Sequence, residues 1–371
     1  MPTFIQFTDL HLGNTGSAEA FQQMIDEINR LEPRPDFVIH TGDICMESRG
    51  APEIYEKLCR SFEIPLYDTL GNHDVLVGEA DPKAEWRKLT GRSNYYSFDV
   101  GGAHFVVMDG HETRPEESGL KNVIGKIGQE ENEWLESDLA SVSVGTPIIG
   151  FIHIPIVSTY PQRRGVVRRD VPAWEIVNDE EMVDLLGRYQ VKAVFSGHFH
   201  ENEKIIRNGV AFVSTGAVCG SWWDWENWPH NPDGSPKGYR IVTVQADTGT
   251  VSSIYKGLGR SVDEQLFIFP MRQLIEDRYE IIANVFDGNE RWHVEFRVAE
   301  GDWLAMEQFT AGIYEDASFP DGIKGERPDA LPKICTHLWR GFAVGLESEE
   351  IEIRARDPEG HAWSGSRIKE D

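Results

Sequence analysis

Apolar residues are grouped along the chain in two rhythms. Thr3–Phe7, Phe37–His40, Ile64–Leu70, Ile148–Ile152 and Ala193–Phe195 are apolar runs of strand length. Between them lie stretches of helical period. Ser17 is placed to cap a helix with the stripe Phe21, Met24, Ile25, Ile28 and Leu31. Asn178 with Glu181 makes a capping-box-like start to another, with the stripe Met182, Leu185, Leu186 and Tyr189. Both stripes predict helices that lay one face on a sheet.

Strand and helix alternate to about residue 256, which predicts an α/β layered architecture. Turn signals add antiparallel pairs. Tyr95–Val100 and Ala103–Asp109 flank Gly101-Gly102, Glu203–Arg207 and Val210–Thr215 flank Asn208-Gly209, and Gly238–Ala246 turns at Thr248-Gly249. A purely parallel sheet is thereby excluded. The expected fold class is α/β, with two mixed β-sheets packed face to face and flanked by helices. Past residue 277 the pattern changes to short strands, Ile281–Phe286, Trp292–Val298, His337–Val344 and Ile351–Ala355, with Asp287-Gly288-Asn289, Glu300-Gly301-Asp302 and Asp357-Pro358-Glu359-Gly360 as turns. That predicts an added C-terminal all-β sandwich. The expected division is a catalytic domain over 1–257, a linker over 258–277 and the β-sandwich over 278–371, in keeping with 371 residues at roughly 150 per domain.

Polar blocks sit at the ends of the N-terminal runs: Asp9-Leu10-His11, Gly42-Asp43, Gly71-Asn72-His73-Asp74, His153-Ile154-Pro155 and Gly197-His198-Phe199-His200. Strand ends are where α/β sheets carry their sites. Asp9 and His11, two apart, project on one side of an extended segment, and His198 and His200 repeat the geometry. Phosphate-ester hydrolysis needs a strong nucleophile, neutralised phosphoryl oxygens and a stabilised leaving alkoxide. Two metals about 3.5–4 Å apart meet all three needs. A carboxylate must bridge them, and Asp43 is the candidate, with Gly42 letting the backbone turn beside the ions. Asp9, Asp43, His11, His153, His198, His200 and the Asn72 amide give seven ligand groups. Sharing Asp43 gives each ion four protein contacts and leaves positions for hydroxide and substrate. Two divalent ions against two carboxylates and one hydroxide leave a positive site, suited to an anionic phosphoryl group. The nitrogen and oxygen ligands suit two divalent or mixed-valence transition-metal ions, Fe, Mn, Zn or Co.

The five blocks, in order DxH, GD, GNH[DE], HxP and GHxH over residues 9–200, resemble the calcineurin-like metallophosphoesterase superfamily. The resemblance implies one ion held by Asp9, His11, Asp43 and His200, and another by Asp43, Asn72, His153 and His198. It further implies that His73 contacts the phosphate and protonates the leaving group, with Asp74 orienting it. Many members carry a second histidine in the HxP block, where this chain has Ile154, so that contact is missing here. The GNHD form, the length and the segments Gly220-Ser221-Trp222-Trp223, Asp233–Tyr239, Trp339-Arg340 and Gly365-Ser366-Arg367 look most like bacterial phosphodiesterase-type members with an added C-terminal β-sandwich.

The remaining sequence narrows the partners. A formal charge of −26 disfavours nucleic acid and anionic membranes. No apolar stretch approaches the roughly 20 residues of a membrane span. With no leader pattern at Met1–Ile5, a cytoplasmic location is the default, and scattered Cys45, Cys59, Cys219 and Cys335 read as buried reduced thiols. The expected partner is a small anionic phosphoester, with self-assembly into a homo-oligomer left open.

The expected activity is that of a dinuclear phosphodiesterase acting on a cyclic nucleotide or glycerophosphodiester through attack by metal-bound hydroxide. Its rivals are a phosphomonoesterase or pyrophosphatase, and a catalytically weak metal-binding scaffold. Arg163, Arg164, Arg168 and Arg169 read equally as a grip on substrate or as a solvated loop. Trp222, Trp223, Trp225 and Trp228, with Tyr239, read equally as a pocket wall or as packing against the β domain. His40 reads as a core histidine ahead of a ligand-orienting one, and His104 and His111 receive no role.

Overall fold

The computed structural model describes residues 1–113, 123–166, 171–221, 230–245, 247–312, 334–346 and 350–368. Arg168, Arg169 and the tryptophans at 222, 223, 225 and 228 lie outside the described residues. Two compact units are present, Met1–Asn231 with Pro236–Ile254, and Pro232–Ser235 with Tyr255–Asp371.

The first unit contains two mixed sheets. One runs in the order Val251–Gly257, Gly238–Val244, Thr3–Phe7, Phe37–His40, Leu66–Asp68. Its last three strands are parallel, and Gly238–Val244 lies antiparallel to Thr3–Phe7. The other runs Glu203–Arg207, Val210–Ser214, Ala193–Ser196, Ile148–Phe151, Ala103–Val107, Tyr96–Val100, with four parallel strands inside and an antiparallel hairpin partner at each edge.

Aromatic residues fill the space between the sheets. Phe4 stacks on Phe37 at 5.0 Å and meets Phe105, Phe151 and Phe195 of the opposite sheet edge-on at 5.5–5.9 Å, the geometry that the ring quadrupoles favour. Phe7, three residues on, faces the other way and meets Phe21 of the helix Ser17–Ile28 at 5.8 Å. Helices therefore cover the outer face of that sheet. A small antiparallel pair, His111–Thr113 with Val123–Gly125, extends from the second sheet's loops.

Local caps differ from the sequence reading. Ser17 is the first helical residue and makes no cap. The chain enters through Gly16, whose φ of 80° only glycine adopts readily, while the Ser17 hydroxyl donates to the Asn14 carbonyl. Asn178 does occupy the N-cap of Asp179–Arg188. Its amide, however, pairs with the Ile127 backbone and with Glu181, tying the helix to the neighbouring loop. The apolar run Ile64–Leu70 contributes only the strand Leu66–Asp68, because its end bends into the Gly71–Asp74 turn.

Among the described residues, every strand pair of the second unit is antiparallel. Its sheets run Leu266–Ile268, Arg278–Val285, Ile334–Val344, Glu307–Gly312, and Leu304–Ala305, His293–Val298, Glu350–Arg356, Ala362–Ile368. Ile281, Ala283, Val285 and Trp339 from one sheet and Val294, Phe296, Ile351 and Ile353 from the other form one core. The stretch 258–277 holds the strands Leu266–Ile268 and Arg272–Ile275, both paired with Arg278–Val285. Inside this unit, buried His337 is clamped between the Asn284 amide at 2.7 Å and the Asp233 carboxylate at 3.1 Å. All four cysteines are free. No helix among the described residues is long and apolar enough to cross a membrane.

Candidate metal centre

The five polar blocks meet at the ends of the parallel strands, and backbone hydrogen bonds lock them together. The Asp9 N–H donates to the Gly42 carbonyl and the Leu10 and His11 N–H groups to the Asp43 carbonyl, each at 3.0 Å. The Gly197 N–H donates to the His153 carbonyl at 3.1 Å. This tight meeting bends the chain into a backbone region that side chains rarely occupy. Asp9, His11, Asp43, His198 and His200 have φ of 54°, 42°, 64°, 77° and 58°. Such strain clusters where the surrounding structure holds a functional geometry. Glycine is required beside it. A Cβ on Gly71 would collide with the backbone and carboxylate of Asp43, and one on Gly197 with Thr8 and Asp9.

All seven predicted ligand side chains come together. Asp43 Oδ2 faces His11 Nε2 at 3.5 Å and His153 Nε2 at 3.3 Å. Asp9 Oδ1 faces His200 Nε2 at 3.2 Å and His11 Nε2 at 3.7 Å. The Asn72 carbonyl oxygen faces His198 Nδ1 at 2.8 Å and His153 Nε2 at 3.0 Å. Two groups result, Asp9, His11, Asp43 and His200 on one side and Asp43, Asn72, His153 and His198 on the other. Asp43 is common to both.

The donor set fits metal ions. Asp9 Oδ2 is held by the Thr8 hydroxyl at 2.7 Å and the His198 N–H at 3.0 Å, while its buried Oδ1 faces the His200 and His11 imidazoles and makes no hydrogen bond among the described residues. Asp43 Oδ1 likewise accepts the His73 N–H at 2.9 Å and leaves Oδ2 facing inward. His153 and His200 each direct Nδ1 to a backbone carbonyl, of Thr41 and Gly220, both at 2.7 Å. These bonds turn Nε2 toward the carboxylates, as second contacts on metal-binding imidazoles do.

Electrostatics point the same way. Burial opposes charge on both aspartates, yet His200 beside Asp9 and His153 beside Asp43 hold the carboxyls well below their usual range. Burial pulls the His153 imidazole down, but Asp43 outweighs it and raises the pKa to about 9. His198 is pushed down to about 3 by burial and by the charge on His153. The carboxylates thus call for positive charge at the centre.

His73 stands at the rim, its ring 5.1 Å from that of His11. Burial lowers its pKa, but Asp43 and Glu47 outweigh burial and the net shift is upward. Asp74 does not orient it. The Asp74 carboxylate accepts N–H bonds from Gly71 at 3.0 Å, Asp43 at 3.1 Å and Cys45 at 2.9 Å, stitching the Asn72–Asp74 turn to the Asp43 loop. Burial, with the Asp43 charge, raises its pKa to about 6. The carboxylate on the His73 ring is Glu47, which bonds Nδ1. The physical reason is reach: the tight turn aims Asp74 back under the backbone, whereas Glu47 comes from the facing loop.

His111, given no role from sequence, lies buried against His153 with ring centroids 6.0 Å apart, and its Nδ1 bonds Asp109 at 3.0 Å. Lys83 in turn pairs with Asp109. His40 is a core residue stacked on Phe7 at 5.0 Å. Arg163 pairs with Glu201 at 2.9 Å and Glu203 at 3.6 Å, and Arg164 approaches Glu201 at 3.9 Å, so these two cations face protein carboxylates. Tyr239 is fully buried, with Glu27 as polar neighbour.

Residues 2–202 match the family described as calcineurin-like phosphoesterase, over more than half of the chain. The chain belongs to the calcineurin-like phosphoesterase family. Residues 213–363 match the companion description, C terminal of calcineurin-like phosphoesterase. As a family member the chain is a phosphoric ester hydrolase, and the family works with divalent metal ions. Its relatives include the serine/threonine-protein phosphatase CPPED1 of Bos taurus, 30% identical over 61% of this chain and 69% of that protein. A 3',5'-cyclic-nucleotide phosphodiesterase of Nostoc sp. is 25% identical over 58% of this chain and 77% of the relative. A probable glycerophosphodiester phosphodiesterase GpdQ of Arcobacter nitrofigilis is 27% identical over 57% and 76%.

Proposed function

We propose that this family member is a dinuclear phosphodiesterase for small phosphodiesters, of the cyclic-nucleotide or glycerophosphodiester class. The observation that carries the reading is the pair of donor groups sharing Asp43, with His73 at their rim. Asp9, His11, Asp43 and His200 would hold one ion and Asp43, Asn72, His153 and His198 the other. When bound, the two ions supply Lewis acidity that neutralises phosphoryl oxygens and activates water at neutral pH.

The chain's own residues do the rest. The Thr8, His198, Thr41 and Gly220 contacts fix the donors before substrate arrives, which removes reorganisation from the reacting step. His73, its ring fixed by Glu47 and its pKa raised, holds a proton on Nε2 and delivers it to the departing oxygen. The relatives named as a cyclic-nucleotide phosphodiesterase and a glycerophosphodiester phosphodiesterase support the diester preference. The bovine phosphatase supports a second reading, a phosphomonoesterase.

Leaving-group dependence tests the mechanism. A p-nitrophenolate departs without a proton, while an alkoxide needs one. His73→Ala should lower turnover of an alkyl phosphodiester about 100-fold or more and that of bis-p-nitrophenyl phosphate far less, with metal content unchanged. Equal losses on both substrates would remove His73 from the proton-transfer role.

A further inference from the structure

Beside the seven donors of the centre stands a second group of metal-ligating side chains. Cys45 Sγ, a carboxylate oxygen of Glu47 and a ring nitrogen of His73 lie within 4.8 Å of one another. They come from two loops that the Asp74 carboxylate ties together, accepting the N–H groups of Gly71, Asp43 and Cys45 at 3.0, 3.1 and 2.9 Å. The side chains are placed further by bonds of their own. Glu47 meets His73 Nδ1 at 2.5 Å, and Cys45 Sγ lies 3.0 Å from the Ser48 hydroxyl. None of the three is a donor of the centre, although the His73 ring stands 5.1 Å from that of His11.

Thiolate, carboxylate and imidazole together are a donor set for zinc. A tetrahedral zinc holds such donors about 3.5 Å apart, so a small rotation of the Glu47 and His73 side chains, 54% and 21% exposed, brings the three within its reach. A fourth position is left for water. Sulfur separates this group from the centre. The seven donors there are nitrogen and oxygen and suit several metals alike, whereas a thiolate favours zinc, or its softer congener cadmium, over manganese. The thiolate and the Glu47 carboxylate also carry two negative charges between them, which neutralise a divalent ion and offset repulsion from ions in the centre. Cys219 is differently placed. Its Sγ lies 3.7 Å from His200 Nδ1, but that nitrogen is bonded to the Gly220 carbonyl at 2.7 Å and the imidazole already serves the centre.

We infer that Cys45, Glu47 and His73 form a third metal site, for a thiophilic divalent cation such as zinc or cadmium, and that its occupation inhibits the enzyme. The inhibitory part rests on the dinuclear reading above. As the ion binds, sulfur, oxygen and nitrogen each form a bond to it, the thiol proton passes to water, and the Glu47–His73 hydrogen bond gives way to shared ligation. The His73 nitrogen that holds the ion no longer takes a proton. The ring then stays neutral and has none to deliver to a departing alkoxide. Excess zinc or cadmium therefore stops cleavage of esters with poor leaving groups first.

The test titrates cadmium into wild type, Cys45→Ser and Cys45→Ala, each reconstituted with manganese. Binding is read by the charge-transfer absorption of a cadmium–thiolate bond, which the nitrogen and oxygen donors of the centre cannot give. Wild type should gain that absorption to saturation at one equivalent, and both variants should lack it while keeping the wild-type melting temperature and uninhibited turnover. At saturation wild type should lose about 100-fold in turnover of an alkyl phosphodiester, the loss expected of His73→Ala, and far less on bis-p-nitrophenyl phosphate. Either variant should need at least ten times more cadmium for the same loss. Absence of thiolate absorption in wild type, or its persistence in a folded Cys45 variant, would overturn the site. Equal inhibition of wild type and variants would overturn its inhibitory role. Should wild type hydrolyse neither ester with any metal, the dinuclear reading fails, and the absorption titration still decides for or against the third site.

Discussion

At the scale of single residues, the centre works by dividing each carboxylate between two tasks. One oxygen of Asp9 and one of Asp43 are bonded to protein N–H or O–H groups, and the other faces imidazoles. Glu47 plays the corresponding part for His73, fixing the ring through Nδ1. Glu47→Gln keeps the size of the side chain but weakens that bond. It should lower kcat about tenfold while metal content and KM stay near wild type. A kcat unchanged by the substitution would mean that the ring is fixed by its other contacts, chiefly the turn that carries it. Nothing in a single sequence marks Glu47, because it lies 26 residues from His73 in another loop. Asp74, adjacent in sequence, is the natural guess, and the tight turn defeats it.

At the scale of elements, legibility followed how locally each element is determined. The strands Thr3–Phe7 and Phe37–His40 coincide with their apolar runs, and the hairpins turn at Gly101-Gly102 and Asn208-Gly209 as their turn residues require. The helix Gln129–Ser141 was not legible, since it buries little beyond Glu131, Leu135 and Leu139. It is held by tertiary contacts instead. One is His104, which bridges Asp99 of its own hairpin at 2.8 Å and Asp138 of that helix at 2.9 Å. Burial lowers the His104 pKa, but the bonds to Asp138 and Asp99 outweigh burial, and the folded value is raised. A raised folded pKa contributes stability that is complete below the unfolded value of about 6.5 and is lost as pH rises through the folded value. His104→Gln should therefore lower the urea midpoint clearly at pH 6 and little at pH 9. An equal drop at both would show that the bridge does not depend on the proton.

At the scale of the whole molecule, the sequence blocks that spell the centre are spread over residues 9–200, and the layered sheets bring them to one place. With a formal charge of −26 the molecule as a whole repels anions, while a metal-loaded centre would attract them. Salt screens that repulsion beyond about 8 Å at physiological ionic strength, leaving the local attraction to decide. Turnover therefore depends on the metals. The most direct measurement is hydrolysis of bis-p-nitrophenyl phosphate, p-nitrophenyl phosphate, a cyclic nucleotide and a glycerophosphodiester by metal-stripped protein reconstituted separately with manganese, iron, cobalt and zinc. The predicted result is two ions per chain, no turnover when stripped, and restored turnover that favours the diesters. Full activity in the stripped protein, or two bound ions with no turnover on any ester, would contradict it.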